Sequence, residues 1–228
     1  DGIMKDPNAN GMCIMKVGTS IETGVFNQIQ WAIDMLQVSN YWKSNKNNYS
    51  FTYLPTGQRI YCRGCDDASK FKSVKLVRGY FKYQWFEELI RKEFYSPITY
   101  ERIAEIRKVE QSLTRAGLTK AIRFYSYNPP KTIDHWVNRF ILDLQKDIND
   151  GKVKNALIHH STYLTVPKDW LGQQFIDDAE QLKLTKPREY EHEYLGEITG
   201  KQLIQCNSTK TLFLFPKINV FIFSSYLM

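Results

Sequence analysis

Two adjacent carboxylates, Glu87 and Glu88, stand at the end of a hydrophobic run, residues 80–86 (YFKYQWF). The run reads as a strand, and ligands of open α/β sheets collect where strands end. At such a tip one carboxylate can bind magnesium through water, while its neighbour polarises the water that attacks a γ-phosphate. Glu87 is therefore a candidate metal-side acid and Glu88 a candidate catalytic acid for ATP hydrolysis. The same spacing also fits two solvated charges opening a loop or helix, because acidic groups favour helix N-termini. Ser126 and Asn128 form a second candidate, in the turn Ser126-Tyr127-Asn128-Pro129-Pro130 that closes the next long strand. Either side chain could hydrogen-bond near a γ-phosphate one strand over, although Asn-Pro is also ordinary turn chemistry. A third group is basic. Lys70, Lys72, Lys75 and Arg78 could track a phosphate backbone or form a solvated face.

Other chemistries find less support. Cys62 and Cys65 make a C-x-x-C, but zinc would need two further ligands and no second pair exists. A redox motif belongs at a helix start after a strand, whereas this one closes a predicted hairpin strand. The four cysteines, Cys13, Cys62, Cys65 and Cys206, read as reduced thiols of a cytosolic protein. The histidines, His135, His159, His160 and His192, lack the i, i+4 spacing of a helical zinc site and read as structural. No G-x-S-x-G, G-x-G-x-x-G or G-x-x-x-x-G-K-[ST] sequence occurs.

These groups must be held by a folded core. The 228 residues are 43% hydrophobic and 14% aromatic, which excludes a disordered or fibrous chain. A net charge of +7 suits a polyanionic partner such as DNA, where lysine and arginine release condensed counterions. Residues 1–10 are polar and lack the apolar core of a signal peptide. Residues 211–228 are strongly apolar, but Pro216, Lys217 and Asn219 break the run, which reads as one or two buried strands rather than a membrane helix.

Along the chain, 11–17 is predicted as a buried strand. Thr19 and Glu22 are predicted to form a capping box for a helix whose buried face is Val25, Ile29, Ile33 and Leu36. A loop over 44–48 leads to a hairpin, 49–54 and 59–63, turned at Pro55-Thr56-Gly57. After the basic segment and the strand at 80–86, a helix is predicted over 100–116, stopped by Gly117. A strand at 121–127, a helix striped by Trp136, Phe140, Leu144 and Ile148, a strand at 153–159 and helices near 168–181 and 187–194 follow. Alternating strands and helices predict a parallel-rich α/β sheet covered on both faces, with the hairpin as an antiparallel element.

The signals occur together in a recognisable order. Residues 18–36 (GTSIETGVFNQIQWAIDML), then TGQRIYCRGCDDASKFKSVK, WFEEL, RKVEQSLTRAG, SYNPP with a following Trp-Val-Asn, HHSTYLTVPKDWLGQQFIDDAE and YEHEYLGEITG resemble PBSX-type phage terminase large subunits over about residues 12–200. The resemblance implies an ATPase of the additional-strand P-loop class that pumps viral DNA into a procapsid in the host cytoplasm. ATP and magnesium would be its cofactors; double-stranded DNA, a terminase small subunit and a portal protein would be its partners, with no membrane involved. It assigns Glu87 to the magnesium side of the Walker B strand, Glu88 to catalysis, and Ser126 and Asn128 to the coupling motif.

Two departures shape the expectation. In this family a glycine-rich phosphate loop precedes the segment beginning at Cys13, and none is found here. Beyond Gly200, where a nuclease domain would begin, residues 201–228 show no acidic cluster. The expectation is a terminase ATPase-like domain over 1–200 with an atypical tail over 201–228, N-terminally truncated and inactive alone. The alternative is a non-catalytic basic DNA-binding or phage assembly module.

Overall fold

The computed structural model describes residues 1–87, 99–114, 120–200 and 219–224. The chain divides into two compact units, Asp1–Tyr125 and Ser126–Met228.

In the first unit, a short helix α1 (Gly2–Lys5) leads into β1 (Ala9–Met15), every residue of which is buried. Continuous burial is the mark of a parallel strand covered on both faces. β1 lies between β4 (Arg59–Gly64) and β5 (Tyr80–Glu87), parallel to both. β6 (Ile122–Ser126) runs parallel to β5 on its far side, Phe86 opposite Tyr125. β3 (Ser50–Tyr53) pairs antiparallel with β4 and forms the expected hairpin. A further strand, β2 (Trp42–Asn45), pairs antiparallel with β3 where the sequence suggests only a loop. It is short, polar and exposed after Trp42, features that blunt a sheet edge against pairing with other chains but mask it in a hydrophobicity pattern.

The predicted capping box does not form. After β1, residues Gly18–Ser20 make a 3-10 turn and Glu22–Phe26 a π-turn, and only then does α2 (Asn27–Met35) begin, with no side-chain cap. Two close approaches explain the tight entry. A Cβ on Gly64 would lie 2.6 Å from Gly18 Cα, and one on Gly24, whose backbone is non-helical, would lie 2.8 Å from the Met15 sulfur. Val25 and Ile33 are buried as expected, but Leu36 is exposed and Ile21 and Phe26 take its place. They pack with Cys13, Met15, Phe51 and Cys62, the Phe26 and Phe51 rings stacked at 4.5 Å. α3 (Thr99–Leu113) connects β5 to β6 and buries Val109 and Leu113. Its predicted stop, Gly117, lies outside the described residues.

In the second unit, α4 (Trp136–Asn149) precedes β7 (Ala156–His160), which pairs in parallel with β8 (Asn219–Ser224). β8 agrees with the strand reading of the apolar tail; 211–218, 225–228 and Cys206 lie outside the described residues. α5 (Gln173–Thr185) and α6 (Pro187–Glu193) close a small aromatic core around Tyr163, Ala179 and Tyr190, with Phe175 and Tyr194 packed on it. Proline at the first position of α6 suits a site whose N–H would have no helical partner. Among the described residues, no helix is long and apolar enough to cross a membrane.

Candidate functional site

Parallel strands entering from one side place all their carboxyl ends together. β1 ends at Met15, β4 at Gly64 and β5 at Glu87, with Met15 in register with both Gly64 and Glu87. Glu87 thus sits at the tip of an interior strand, flanked by β1 and β6, as the sequence predicts. It is half-buried. Its charge reaches Cys13, whose thiol is held well above its ordinary range, first by the hydrogen bond with the Cys62 thiol, then by burial and by the Cys62 charge, and last by Glu87. Glu88 lies outside the described residues.

The sequence reading missed what surrounds this tip. Lys16, the first residue after β1, pairs with Glu105 of α3 at 3.2 Å, and the Gly18 N–H donates to Asp66 Oδ1 at 3.4 Å. Lys16 was legible as a cation ending an otherwise unbroken apolar strand; its partner was not, because 89 residues separate the two. The Cys65 thiol is pushed up to about 11, chiefly by burial, with Lys16 opposing. Cys13, Cys62 and Cys65 are all buried and free. Cysteines buried in apolar surroundings are structural rather than reactive, and no group of three or more histidine, cysteine or acidic side chains is placed to hold a metal among the described residues.

Ser126 ends β6 and is buried, whereas Asn128, two residues on, is exposed. Between them the Tyr127 hydroxyl is pushed up to about 12 by burial. The turn that follows is anchored by the asparagine of the Trp-Val-Asn motif, to which the sequence reading assigns no role. Asn138 of α4, 1% exposed, donates from Nδ2 to the carbonyls of Pro130 and Thr132, both at 2.8 Å. Gly200 N–H donates to Lys131 O at 2.7 Å in the same turn, an approach so close that a Cβ there would lie 2.6 Å from that oxygen. The Trp-Val-Asn that follows SYNPP is therefore a turn anchor.

Further buried contacts tie β6 to α3 and to β5. The Tyr125 hydroxyl donates to Glu110 Oε1, and Arg123 Nε donates to Gln84 Oε1 at 3.2 Å. Burial raises the Glu110 carboxyl above its ordinary value; Arg123, the Tyr125 hydrogen bond and Arg107 oppose it. One signal was available in the sequence: Glu110 falls on the apolar side of the α3 stripe, three residues before Leu113.

The basic residues do not form one cluster. Ala68–Ser73 is a 3-10 turn leaving the carboxyl end of β4, capped by Asp67. Residues 74–79 then return to the amino end of β5, where the Arg78 carbonyl accepts from Asn10. A connection between parallel strands must run the length of the sheet, so Lys72, Lys75 and Arg78, all exposed, are strung along it. Lys70 lies in the 3-10 turn; its side chain is outside the described residues. His135, His160 and His192 meet backbone groups. His135 accepts from Val137 N–H at the start of α4, and His160 and His192 donate to the carbonyls of Leu195 and Glu197.

This mostly parallel, helix-flanked sheet has the fold of a large terminase. It is similar to the large terminase of the thermophilic bacteriophage D6E in crystal form 2, with a TM-score of 0.52 and 15% identity, covering 83% of this chain and 42% of that one. In crystal form 3, a complex with ADP, the TM-score is 0.53 at 16% identity, covering 83% and 40%. At such identities the likeness concerns the fold. The chain belongs to the phage terminase large subunit family, whose model matches residues 3–197. It is 37% identical over 197 residues to the terminase large subunit of Bacillus phage SPP1, covering 85% of this chain and 43% of that relative. The chain thus spans less than half the length of the relatives it matches.

Proposed function

We propose that this chain carries the acidic end of an ATP-hydrolysing site in a motor that moves viral DNA into a procapsid. The observation that carries the reading is Glu87, half-buried at the carboxyl tip of a parallel strand flanked on both sides by further parallel strands. Glu87 takes the metal-side role and Glu88 the catalytic one. Ser126 and Asn128 sense the γ-phosphate and pass its presence to the DNA-gripping part of the motor.

The donor set fits magnesium. That ion keeps several waters and is held by one or two carboxylates plus substrate phosphates rather than by an all-protein cage. A single strand-tip carboxylate meets this need where no three-residue cluster is present among the described residues. When bound with a triphosphate, magnesium would neutralise charge developing on the phosphate oxygens. The work of this chain's own residues is to orient that assembly through Glu87 and to draw a proton from water at the Glu88 carboxylate.

No G-x-x-x-x-G-K-[ST] sequence lies within these 228 residues. Such a loop cradles β- and γ-phosphates with backbone N–H groups and a lysine, and carboxylates alone repel a polyphosphate. The 228 residues by themselves are therefore expected to bind nucleotide weakly and not to turn it over. Titration with a fluorescent ATP analogue tests both parts. Weak magnesium-dependent binding that disappears in Glu87→Gln supports the acidic-end reading, and binding unaffected by that substitution overturns it. Steady ATP turnover by the isolated chain would overturn the expectation of inactivity.

The exposed basic segment favours a second, compatible role in holding duplex DNA, the partner the family implies. Replacing Lys72, Lys75 and Arg78 with glutamine should flatten the dependence of log affinity on log salt by about one per lost phosphate contact. An unchanged slope would place DNA elsewhere.

A further inference from the structure

The segment proposed to sense the γ-phosphate, Ser126 to Asn128, has a buried side-chain lock just before it and another just after it. Before it, Tyr125 is 8% exposed and donates to Glu110, 7% exposed, on the helix that follows the acidic strand tip. After it, Asn138 holds the Pro130 and Thr132 carbonyls through one amide nitrogen. We infer that Glu110 and Asn138 are positioning residues that set the conformation of residues 126–132, an inference that rests on the nucleotide reading for its purpose but not for its geometry.

Three observations separate these residues from ordinary core. A carboxyl group on the apolar face of α3 is costly to bury, and a leucine would fill that place beside Val109 and Leu113 without the penalty. Glu110 supplies what leucine cannot, an acceptor for the Tyr125 hydroxyl and a charge near Arg123 and Arg107. Asn138 shows the same economy. Its Nδ2 makes two hydrogen bonds to successive bends of one turn, while its Oδ1, buried, has no hydrogen-bond partner among the described residues. An amide kept at the cost of an unsatisfied oxygen is kept for where its nitrogen points. Finally, Asn138 is the side chain that joins two carbonyls of this turn, which backbone N–H groups of Gly200 and His135 also hold at Lys131 and Thr132. Pro129 and Pro130 supply no N–H of their own to the turn.

The two locks act on opposite ends of a stretch that contains one buried and one exposed candidate side chain, Ser126 and Asn128. Each lock restrains the end that it touches, Tyr125 at one and the Pro130–Thr132 turn at the other. Releasing either lock leaves the strand and helix in place but frees the segment.

Amide hydrogen exchange on the purified chain tests this directly. In Glu110→Leu, Tyr125→Phe and Asn138→Asp, exchange at Ser126 to Asn128 and Thr132 should rise about tenfold, while β1 and α6 keep their wild-type rates. Glu110→Gln retains an acceptor for Tyr125 and should restore slow exchange, the rescue that a purely volumetric role would not show. A rise spread equally over β1 or α6, or no rise at all, overturns the inference. Glu110→Gln and Tyr125→Phe change shape least and keep the test readable if the other variants fold poorly. In parallel, the ratio of affinities for a fluorescent ATP analogue and its diphosphate counterpart should fall toward one in the unlocked variants. Should the wild-type chain bind neither nucleotide, the nucleotide reading fails while the exchange result still judges the locks.

Discussion

The two ends of the parallel strands in the first unit are built from different materials. At the amino ends, neutral amides are buried and bonded, beside one partly exposed ion pair, Asp6 with Lys82 at 2.8 Å. Asn10 Nδ2 donates to Arg78 O at 3.1 Å, and its Oδ1 accepts from Arg59 N–H at 2.8 Å. Gln58, 3% exposed, donates to the carbonyls of Ile3 and Asp6 at 3.0 and 3.1 Å. Gly79, at φ +74°, passes so near Asn8 that a Cβ would lie 2.0 Å from its carbonyl oxygen. At the carboxyl ends stand charges: Lys16, Asp66, Glu87 and Glu105, none of them fully buried. A buried amide with its bonds made stabilises one geometry, whereas a partly hydrated charge keeps its capacity for an incoming ion. One end of the sheet holds the fold and the other is left for chemistry.

Substitutions can break or sharpen that contrast. The largest effect on stability is expected at the amino end. Asn10→Ala strands a backbone N–H and a backbone carbonyl in a buried place, and should cost on the order of 3 kcal/mol. Chemical denaturation would show this as a lower midpoint at unchanged slope. A loss below about 0.5 kcal/mol would remove the distinction between the two ends. At the carboxyl end, Lys16→Met breaks a partly exposed ion pair with Glu105, and should cost only about 0.5–1 kcal/mol.

A smaller effect follows from pH. The Asp6 carboxyl is held below its ordinary value of 3.8, foremost by the hydrogen bond from Lys82. A depressed acid stabilises the fold above its unfolded value, and that contribution is lost as pH falls through the folded value. The contribution is below about 1 kcal/mol, because solvent screens the pair. Asp6→Asn should therefore lower the melting temperature slightly at neutral pH, converge with wild type well below pH about 4, and so flatten the acid limb of the profile. The smallest change in stability belongs to Glu87→Gln, expected within about 0.5 kcal/mol of wild type. A large destabilisation there would make Glu87 a structural residue.

Much of this architecture was legible beforehand. The apolar run over 11–15 in β1, the hairpin at Pro55-Thr56-Gly57 and the stripe on α4 are local patterns, and each produced the expected element. The failures were local patterns overruled from a distance. The capping box at Thr19 gave way because Gly18 must lie against Gly64, and β2 was hidden by its polar edge sequence.

By itself the sequence determined the order of strands and helices, the family to which the chain belongs, and the placing of Glu87 at a strand end, because periodicity and motif order are properties of neighbouring residues. Only the tertiary structure decided that Lys16 meets Glu105, that Glu110 receives Tyr125, and that the asparagine of Trp-Val-Asn grips the SYNPP turn. Those pairings depend on strand register and helix packing. Register sets which distant side chains come within the roughly 3 Å that a hydrogen bond requires, and no short window of sequence contains that distance.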